Sequence, residues 1–358
     1  MNYDKVKHKV IDTHLHVEGW NNDESNFLDC FEQYKNDMGL HALNICVVPT
    51  VQRNVCNNVQ SALYKIAHPG TYAHGGLDHI KWPISEDMPE GMDLVTQYRE
   101  LMEIGFDGIK MLEAKPSHHK RNGSNLNTPP LERVFAEIEK DSTHLVLHSN
   151  DPDEFWLEST RNLVKPDWWY GDGSYASFEE IYRQTEQMLA NHPNIKVTLA
   201  HFYFCGKTPE KLVELFEKYP NLCVDLTPGC EMYHAFEAKY DYYKGFFEKY
   251  SDRILLGTDS TYPWPTETYR WLLDRTYRFV ATADTVSAFD DQQLKGLNLS
   301  DESCDNILWR NFERRVGEKP RDINKDALRR YIDKYKHLMS EDEWKNLEPA
   351  IKKYLGEW

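Results

Sequence analysis

"VIDTHLHVEG", residues 10–19, opens on β-branched residues and then delivers two histidines one residue apart, His14 and His16. Val, Ile and Thr suit a pleated backbone, so the stretch predicts a short strand over residues 10–16. Alternate side chains of a strand share a face, which aims His14 and His16 the same way and puts Asp12 on that face as well. Two neutral imidazoles directed at one point can hold a divalent metal. By itself the pair is an ordinary feature of an edge strand, and only ligands delivered by other strands turn it into a site.

Apolar runs of the same kind recur along the chain. They are "ALNICVVPT" (42–50), "TYAHGGLD" (71–78), "FDGIKMLE" (106–113), "THLVLHSN" (143–150), "IKVTLAHF" (195–202), "NLCVDLTP" (221–228) and "RILLGTDS" (253–260). Amphipathic patterns lie between them, at 94–105, 131–140, 177–193 and 208–220, starting near Thr, Ser or Pro and ending near Gly, Asn or Pro as helix caps do. Eight near-continuous apolar strands alternating with helices predict an α/β protein whose parallel sheet is buried on both faces and closed, a (β/α)8 TIM barrel. An open doubly wound sheet is disfavoured because no glycine-rich dinucleotide fingerprint follows the first strand.

The barrel is assigned to residues 1–320. Residues 321–358, which include "KDALRRYIDKYKHLMSEDEWKNLEPAIKKYLGEW" (325–358), predict a C-terminal helical extension packed outside it. Two long polar insertions interrupt the rhythm, 110–130 and 149–177. Long connections in compact domains are usually functional. The second follows the strand that delivers His148, so it is expected to cover the site.

Composition narrows the partners. With 358 residues, 40% of them hydrophobic and 28% charged, the chain has material for a real core. No apolar run approaches the ~18 residues of a membrane span, and the first residues lack the apolar segment of a signal peptide. A cytoplasmic protein with no membrane partner is expected. A net charge of −16 without a long Lys/Arg block argues against nucleic acid. The seven cysteines are scattered and form no C-x-x-C pair, so reduced, packed thiols are expected.

Functional groups of a closed β/α barrel sit at the C-terminal ends of its strands. His14 and His16 end the first predicted strand, His148 the fifth, His201 the sixth and Asp259 the eighth. Each alone is explicable as packing or a turn residue, but their recurrence at corresponding ends is not. Imidazole and carboxylate suit zinc, with manganese or iron as alternatives. His74, Trp168, Trp169, Tyr170, Tyr203, Phe204 and Trp264 are candidates for the pocket wall. Arg53, Lys115, Lys120 and Arg121 are candidates to meet an anionic substrate.

"DTHLH", "LVLHS", "VTLAH" and "LLGTDS", in this order, resemble the metal-dependent amidohydrolase superfamily, and "GFDGIKM" is similar to its amidohydrolase-related branch, which also contains decarboxylases. "CDNILWRNFERRVG" (304–317) is similar to the helix that closes such barrels. The resemblance implies a first metal held by His14, His16 and Asp259, with His148 and His201 holding a second ion or orienting substrate. It implies that Asp259 takes a proton from water, and that the fourth strand supplies a bridging anion in members with two metals, from a carboxylated lysine or a glutamate. "GIKMLEAK" offers Lys110 and Glu113, which lie on opposite faces of an ideal strand. Glu113, at the end of the run, is the expected ligand.

These observations lead to a metal-dependent hydrolase attacking a small-molecule amide, ester or lactone with water, using Asp259 and His201 as catalytic residues and one or two ions. A non-oxidative decarboxylase of the same superfamily is the alternative. A barrel that binds without catalysis is a third reading, disfavoured by the retention of all five candidate ligands. Such barrels often pair, so a homo-oligomer is expected.

Overall fold

The computed structural model describes residues 3–17, 24–48, 54–79, 84, 85, 87, 88, 91–123, 125–228, 230–287 and 292–357. Every predicted strand is present: β1 (Ile11–Val17), β2 (Ala42–Cys46), β3 (Tyr72–Gly76), β4 (Gly108–Ala114), β5 (His144–Ser149), β6 (Lys196–Leu199) and β7 (Leu222–Asp225). The eighth is split into β8 (Ile254–Leu255) and β9 (Ser260–Tyr262). All neighbours pair in parallel, β8 with β7 and β9 with β1, so the two pieces of the last crossing close the ring. Thr13 N–H donates to Leu256 O across the same seam (3.2 Å). The fold is a TIM barrel.

Leu145, Leu147, Val197, Leu199 and Val224 are fully buried, as expected of strands covered by helices outside and side chains inside. Burying each contributes roughly 1.5–3 kcal/mol. Inside the barrel a polar thread crosses the sheet: Asn44 Oδ1 to His74 Nδ1 (2.8 Å), His74 Nε2 to His144 Nδ1 (2.9 Å), and His144 Nε2 to Thr198 Oγ1 (2.8 Å). Gly108 makes room for it, because a Cβ there would stand 2.4 Å from His74 Nε2. Phe312 closes the floor, with its ring 5.0 Å from Tyr72 and 6.2 Å from both His74 and His144.

Helices Leu94–Ile104, Pro129–Lys140, Phe178–Asn191 and Pro209–Lys218 occupy the predicted positions. Asp93 and Ser177 cap the first and third of these by accepting backbone N–H bonds, which is why each starts where a short polar side chain stands. The last two helices, Lys325–Tyr335 and Glu341–Leu355, pack on the outside of the barrel. Tyr331 OH there accepts from Asn58, and Tyr335 OH donates to Glu100 (2.7 Å). Among the described residues no helix is long and apolar enough to cross a membrane.

One buried ion pair anchors the start of β4. Lys65 Nζ lies 2.6 Å from Asp107 Oδ2 and 2.7 Å from Gly105 O, while Asp107 also accepts from the N–H groups of Ala73 and Arg321. Removing one partner leaves a buried charge without compensation. Lys65→Met is therefore expected to lower the unfolding free energy by about 3–5 kcal/mol, read by urea denaturation. A loss below about 1 kcal/mol would show that water reaches Asp107 after the substitution.

Candidate metal centre

His14 and His16 do leave the same face of β1, and Asp259 meets them from the last crossing of the sheet. One ligand atom from each lies within 4.8 Å of the others. The second nitrogen of each ring is already committed, His14 Nδ1 to Asp225 Oδ2 (2.8 Å) and His16 Nδ1 to the carbonyl of Cys46 (2.7 Å). Both Nδ1 atoms then carry the proton, which leaves both Nε2 lone pairs facing the centre. His16 Nε2 stands 2.9 Å from Asp259 Oδ1, and Lys110 Nζ stands 3.0 Å from His14 Nε2. The lysine donates to the lone pair that a cation would take, so this donor set fits a divalent ion.

The approach depends on a glycine. A Cβ on Gly257 would sit 2.8 Å from His14 Cβ and 2.9 Å from Thr227 Oγ1. The eighth crossing passes close to His14 only because nothing projects there. The strand pattern then breaks, and Asp259 adopts a left-handed φ of 58° with its N–H bonded to His14 O (2.9 Å). Asp12 does not share that face as expected: β1 shifts register between Asp12 and Leu15, and Ile11 takes the inward position among Tyr72 and Phe312. The Asp12 carboxylate accepts from Tyr34 OH on the helix Glu32–Met38 and from Thr258 N–H and Oγ1. Burial lifts Asp12 to about 6, and through Thr258 the residue braces the Asp259 segment from the helix side of the strand.

His201 arrives by a different route. The sixth run predicts a strand through residue 202, but β6 stops at Leu199. His201, Phe202, Tyr203 and Phe204 then form a left-handed turn with φ of 57°, 53°, 54° and 51°. For L-residues this costs roughly 1–2 kcal/mol each, so it persists only where the surroundings fix it. His201 N–H donates to Asp225 Oδ1 (2.8 Å), Tyr182 OH donates to Tyr203 O (2.8 Å), and Phe202 packs against Phe236 and Phe247. The turn sends Phe204 toward the mouth, stacked on His201 at 5.3 Å.

Asp225, at the end of β7, is the hub that sequence reasoning did not single out. Its Oδ2 takes His14 Nδ1–H, and its Oδ1 takes the N–H groups of His201 and Thr227 (3.1 Å). Burial opposes its charge, but His14 and His201 outweigh burial and hold it well below the usual carboxylate range. In the sequence it stands as the one acid inside the run "NLCVDLTP" (221–228), and the structure ends β7 at it.

His148 and His201 form a pair, with Nδ1 of the first 3.0 Å from Nε2 of the second. His148 Nε2 meets Asp151 Oδ1 (3.0 Å), which is also bound by Lys115 Nζ (2.6 Å), while Tyr170 OH donates to Asp151 Oδ2 (2.6 Å). Burial depresses the pKa of His14 to about 4, that of His201 below the usual histidine range and that of His148 well below it. All three rings are neutral near pH 7 and able to donate a lone pair. At Asp259 burial works against charge, yet the hydrogen bond and charge of His16, with His201 and His14, hold its carboxyl well below the usual range. Burial lowers Lys110, with Cys46, Asp225 and Asp259 opposing.

His16, Lys110, His148, His201 and Asp259 line the floor of a cleft of about 1040 Å³, with His14 just beneath it. Phe155, Trp168, Phe204 and Trp264 form its aromatic wall, and Lys115, Arg121, Lys165 and Lys207 are its cations above the floor. The 149–177 insertion supplies Phe155, Lys165 and Trp168, and so stands at the mouth as expected.

Several expected contacts are placed elsewhere, Tyr170 among them, which is buried against Asp151 behind the wall. Glu113 does not turn into the cleft: its Oε1 meets His79 Nε2 (2.5 Å), and Lys110 is the fourth-strand residue that faces His14. The alternation of β4 decides this, because Lys110 and Glu113 fall on opposite faces. His74 belongs to the interior thread below the site. Tyr203 is turned into the core against Tyr182 by the left-handed turn. Trp169 lies outside the cleft wall, its Nε1 donating to Leu157 O (2.9 Å). Lys120 is tied to Ser174 and Tyr175, while Arg53 lies outside the described residues.

Comparison with solved structures identifies the same fold at low identity. An uncharacterized TIM-barrel protein from Bordetella bronchiseptica is 14% identical, with a TM-score of 0.53 over 86% of this chain and 98% of its own. A 2,6-dihydroxybenzoate decarboxylase from Rhizobium is 12% identical, with a TM-score of 0.53 over 86% and 98%. A dihydroxybenzoic acid decarboxylase from Polaromonas, solved with bound manganese and the inhibitor 2-nitroresorcinol, is 13% identical, with a TM-score of 0.53 over 86% and 96%. No curated protein matches the sequence. The sequence pattern of the amidohydrolase family (Amidohydro_2) matches residues 81–314, well over half of the length. Its members are enzymes that usually bind a divalent metal. A match over that span, on a barrel of the same fold, settles the family: this chain belongs to the amidohydrolases.

Proposed function

We propose that the protein is a metal-dependent hydrolase that adds water to the carbonyl of a small amide, ester or lactone. The observation that carries this reading is the convergence of two preset imidazole lone pairs and a carboxylate, His14, His16 and Asp259, at the base of the large cleft that His16 and Asp259 line. His14, His16 and Asp259 would hold the ion, with zinc favoured and manganese or iron served by the same donors. When bound, a divalent ion polarises a carbonyl oxygen and makes water more acidic.

The chain's own groups do the rest. Asp259, a carboxylate beside both histidines, accepts the proton of the attacking water and returns it to the leaving group. His201, buried and braced by His148, orients the carbonyl. The Phe155–Trp168 side of the cleft excludes solvent, and Arg121 and Lys165 receive a negatively charged part of the substrate. Among the described residues no cysteine forms a disulfide, which supports a reducing, cytoplasmic setting.

Decarboxylation is the second reading. It is favoured by the combination of aromatic walls and cations around one cluster of metal-binding groups, a setting suited to a planar carboxylate. There the bond from ring carbon to carboxyl breaks, carbon dioxide leaves, and the carbon takes a proton.

Oxygen-18 water separates the two. Turnover of 4-nitrophenyl acetate, a γ-lactone and 2,6-dihydroxybenzoate by metal-loaded protein is followed by mass spectrometry. Hydrolysis places one heavy oxygen in the acid product. Release of carbon dioxide from the benzoate, with no heavy oxygen in the aromatic product and no ester or lactone turnover, would replace the hydrolase reading with the decarboxylase.

A further inference from the structure

A second cavity opens at the end of the barrel opposite the metal centre, beneath the N-terminal ends of β6, β7 and β8. It measures about 230 Å³ and is lined by Lys196, Arg253, Arg314 and Arg315, with Asp252 as the acid at its edge. Arg314 and Arg315 come from "NFERR" (311–315), the segment that also places Phe312 in the barrel floor.

The arginines are fixed by neutral acceptors. Arg315 donates to the carbonyls of Asn221 (2.9 Å) and Val197 (3.5 Å), and Arg253 to those of Tyr219 (3.2 Å) and Leu222 (3.3 Å). Arg314 donates to the side-chain oxygens of Asn311 (3.0 Å) and Asn306 (3.2 Å). Asn311 is itself locked by bonds from its Nδ2 to Ser251 O (2.7 Å) and Ile254 O (2.8 Å). These contacts orient charge without neutralising it.

Among the described residues no carboxylate forms an ion pair with Lys196, Arg314 or Arg315, and Arg253 meets only Asp252, at 3.4 Å. The chain carries 58 acidic residues against 42 Lys and Arg, so unpaired cations gathered around one cavity run against its composition. Tying strand ends together accounts for Arg253 and Arg315. It does not account for Lys196, whose ammonium makes no hydrogen bond among the described residues.

We propose that this cavity is a binding site for inorganic phosphate, held by the Lys196 ammonium and the forks of Arg314 and Arg315. Guanidinium N–H groups match the oxygens of a tetrahedral anion, and Arg314 and Arg315, already fixed, bind it without the cost of ordering their long side chains. The site lies at the face of the barrel away from the chemistry, so its occupancy stabilises the fold and leaves turnover unchanged.

Calorimetric titration of the metal-loaded protein with inorganic phosphate, at ionic strength fixed with chloride, tests the assignment. The native chain is expected to bind saturably and to melt at a higher temperature with phosphate. Lys196→Gln/Arg314→Gln is expected to lose about tenfold or more in affinity together with that thermal gain, at unchanged turnover. Lys196→Gln alone, which breaks no hydrogen bond of the fold, is expected to weaken binding severalfold and guards against misfolding of the double variant. Phosphate taken up at the metal centre is insensitive to both. Equal affinity in native and variant chains, or no saturable binding by the native chain, would overturn the proposal.

Discussion

Asp259→Asn is expected to leave a folded, metal-loaded protein whose turnover falls by about 10²–10⁴-fold. Asparagine keeps the size of the side chain and an oxygen for the ion, but it cannot take a proton at neutral pH. The structure sharpens the expectation, because the backbone of Asp259 is fixed by its N–H bond to His14 O. That contact survives the substitution, so lost backbone geometry does not explain lost rate. Metal content and turnover are measured on the same preparation. Near-native turnover would remove Asp259 as the base, and with it the hydrolytic mechanism.

Asp225→Asn tests the hub beneath the site. Both carboxylate oxygens of Asp225 accept N–H donors, one from His14 Nδ1 and the other from His201 and Thr227. An amide must turn its own NH2 toward one of these sets. Facing His14, it drives the ring toward the tautomer whose Nε2 carries the proton and cannot bind a cation. Facing the backbone, it unseats the strained turn that carries His201. Either outcome damages the centre, and outer partners of metal-bound histidines typically contribute about 10–100-fold in metal affinity. Zinc affinity by competition with a chelator, alongside circular dichroism, reads the effect. An unchanged affinity would show that His14 keeps its tautomer without a charged partner.

The barrel was legible because each strand lies within or across a short apolar run, although several runs continue past their strand, as 195–202 does past Lys196–Leu199. The ring at the first strand was legible for the same reason, since a period of two leaves His14 and His16 no choice of face. Legibility failed where the backbone leaves that period. Tyr203 was expected at the mouth because a strand through residue 202 would carry the chain outward, and nothing in "HFYF" signals four left-handed residues without a glycine. His74 failed differently. Its strand was right, but depth along the barrel axis is set by register against β2 and β4, which a single sequence does not encode. Between Lys110 and Glu113 the alternation argument stood, while the weight given to the end of the run chose the wrong face. Asp225 was missed because an aspartate at a strand end is also a common turn residue.

Metal content per chain decides whether His14, His16 and Asp259 form a metal centre. Native protein and His16→Ala are purified side by side, exposed to excess zinc, desalted and analysed by plasma mass spectrometry, with far-UV circular dichroism as the check on folding. His16 Nε2 faces the centre, and no other imidazole among the described residues stands in its place on β1. At least one tightly held ion is expected in the native chain, and loss of that ion from a folded His16→Ala. A native chain that holds no zinc, or a variant that holds as much as the native, would contradict it.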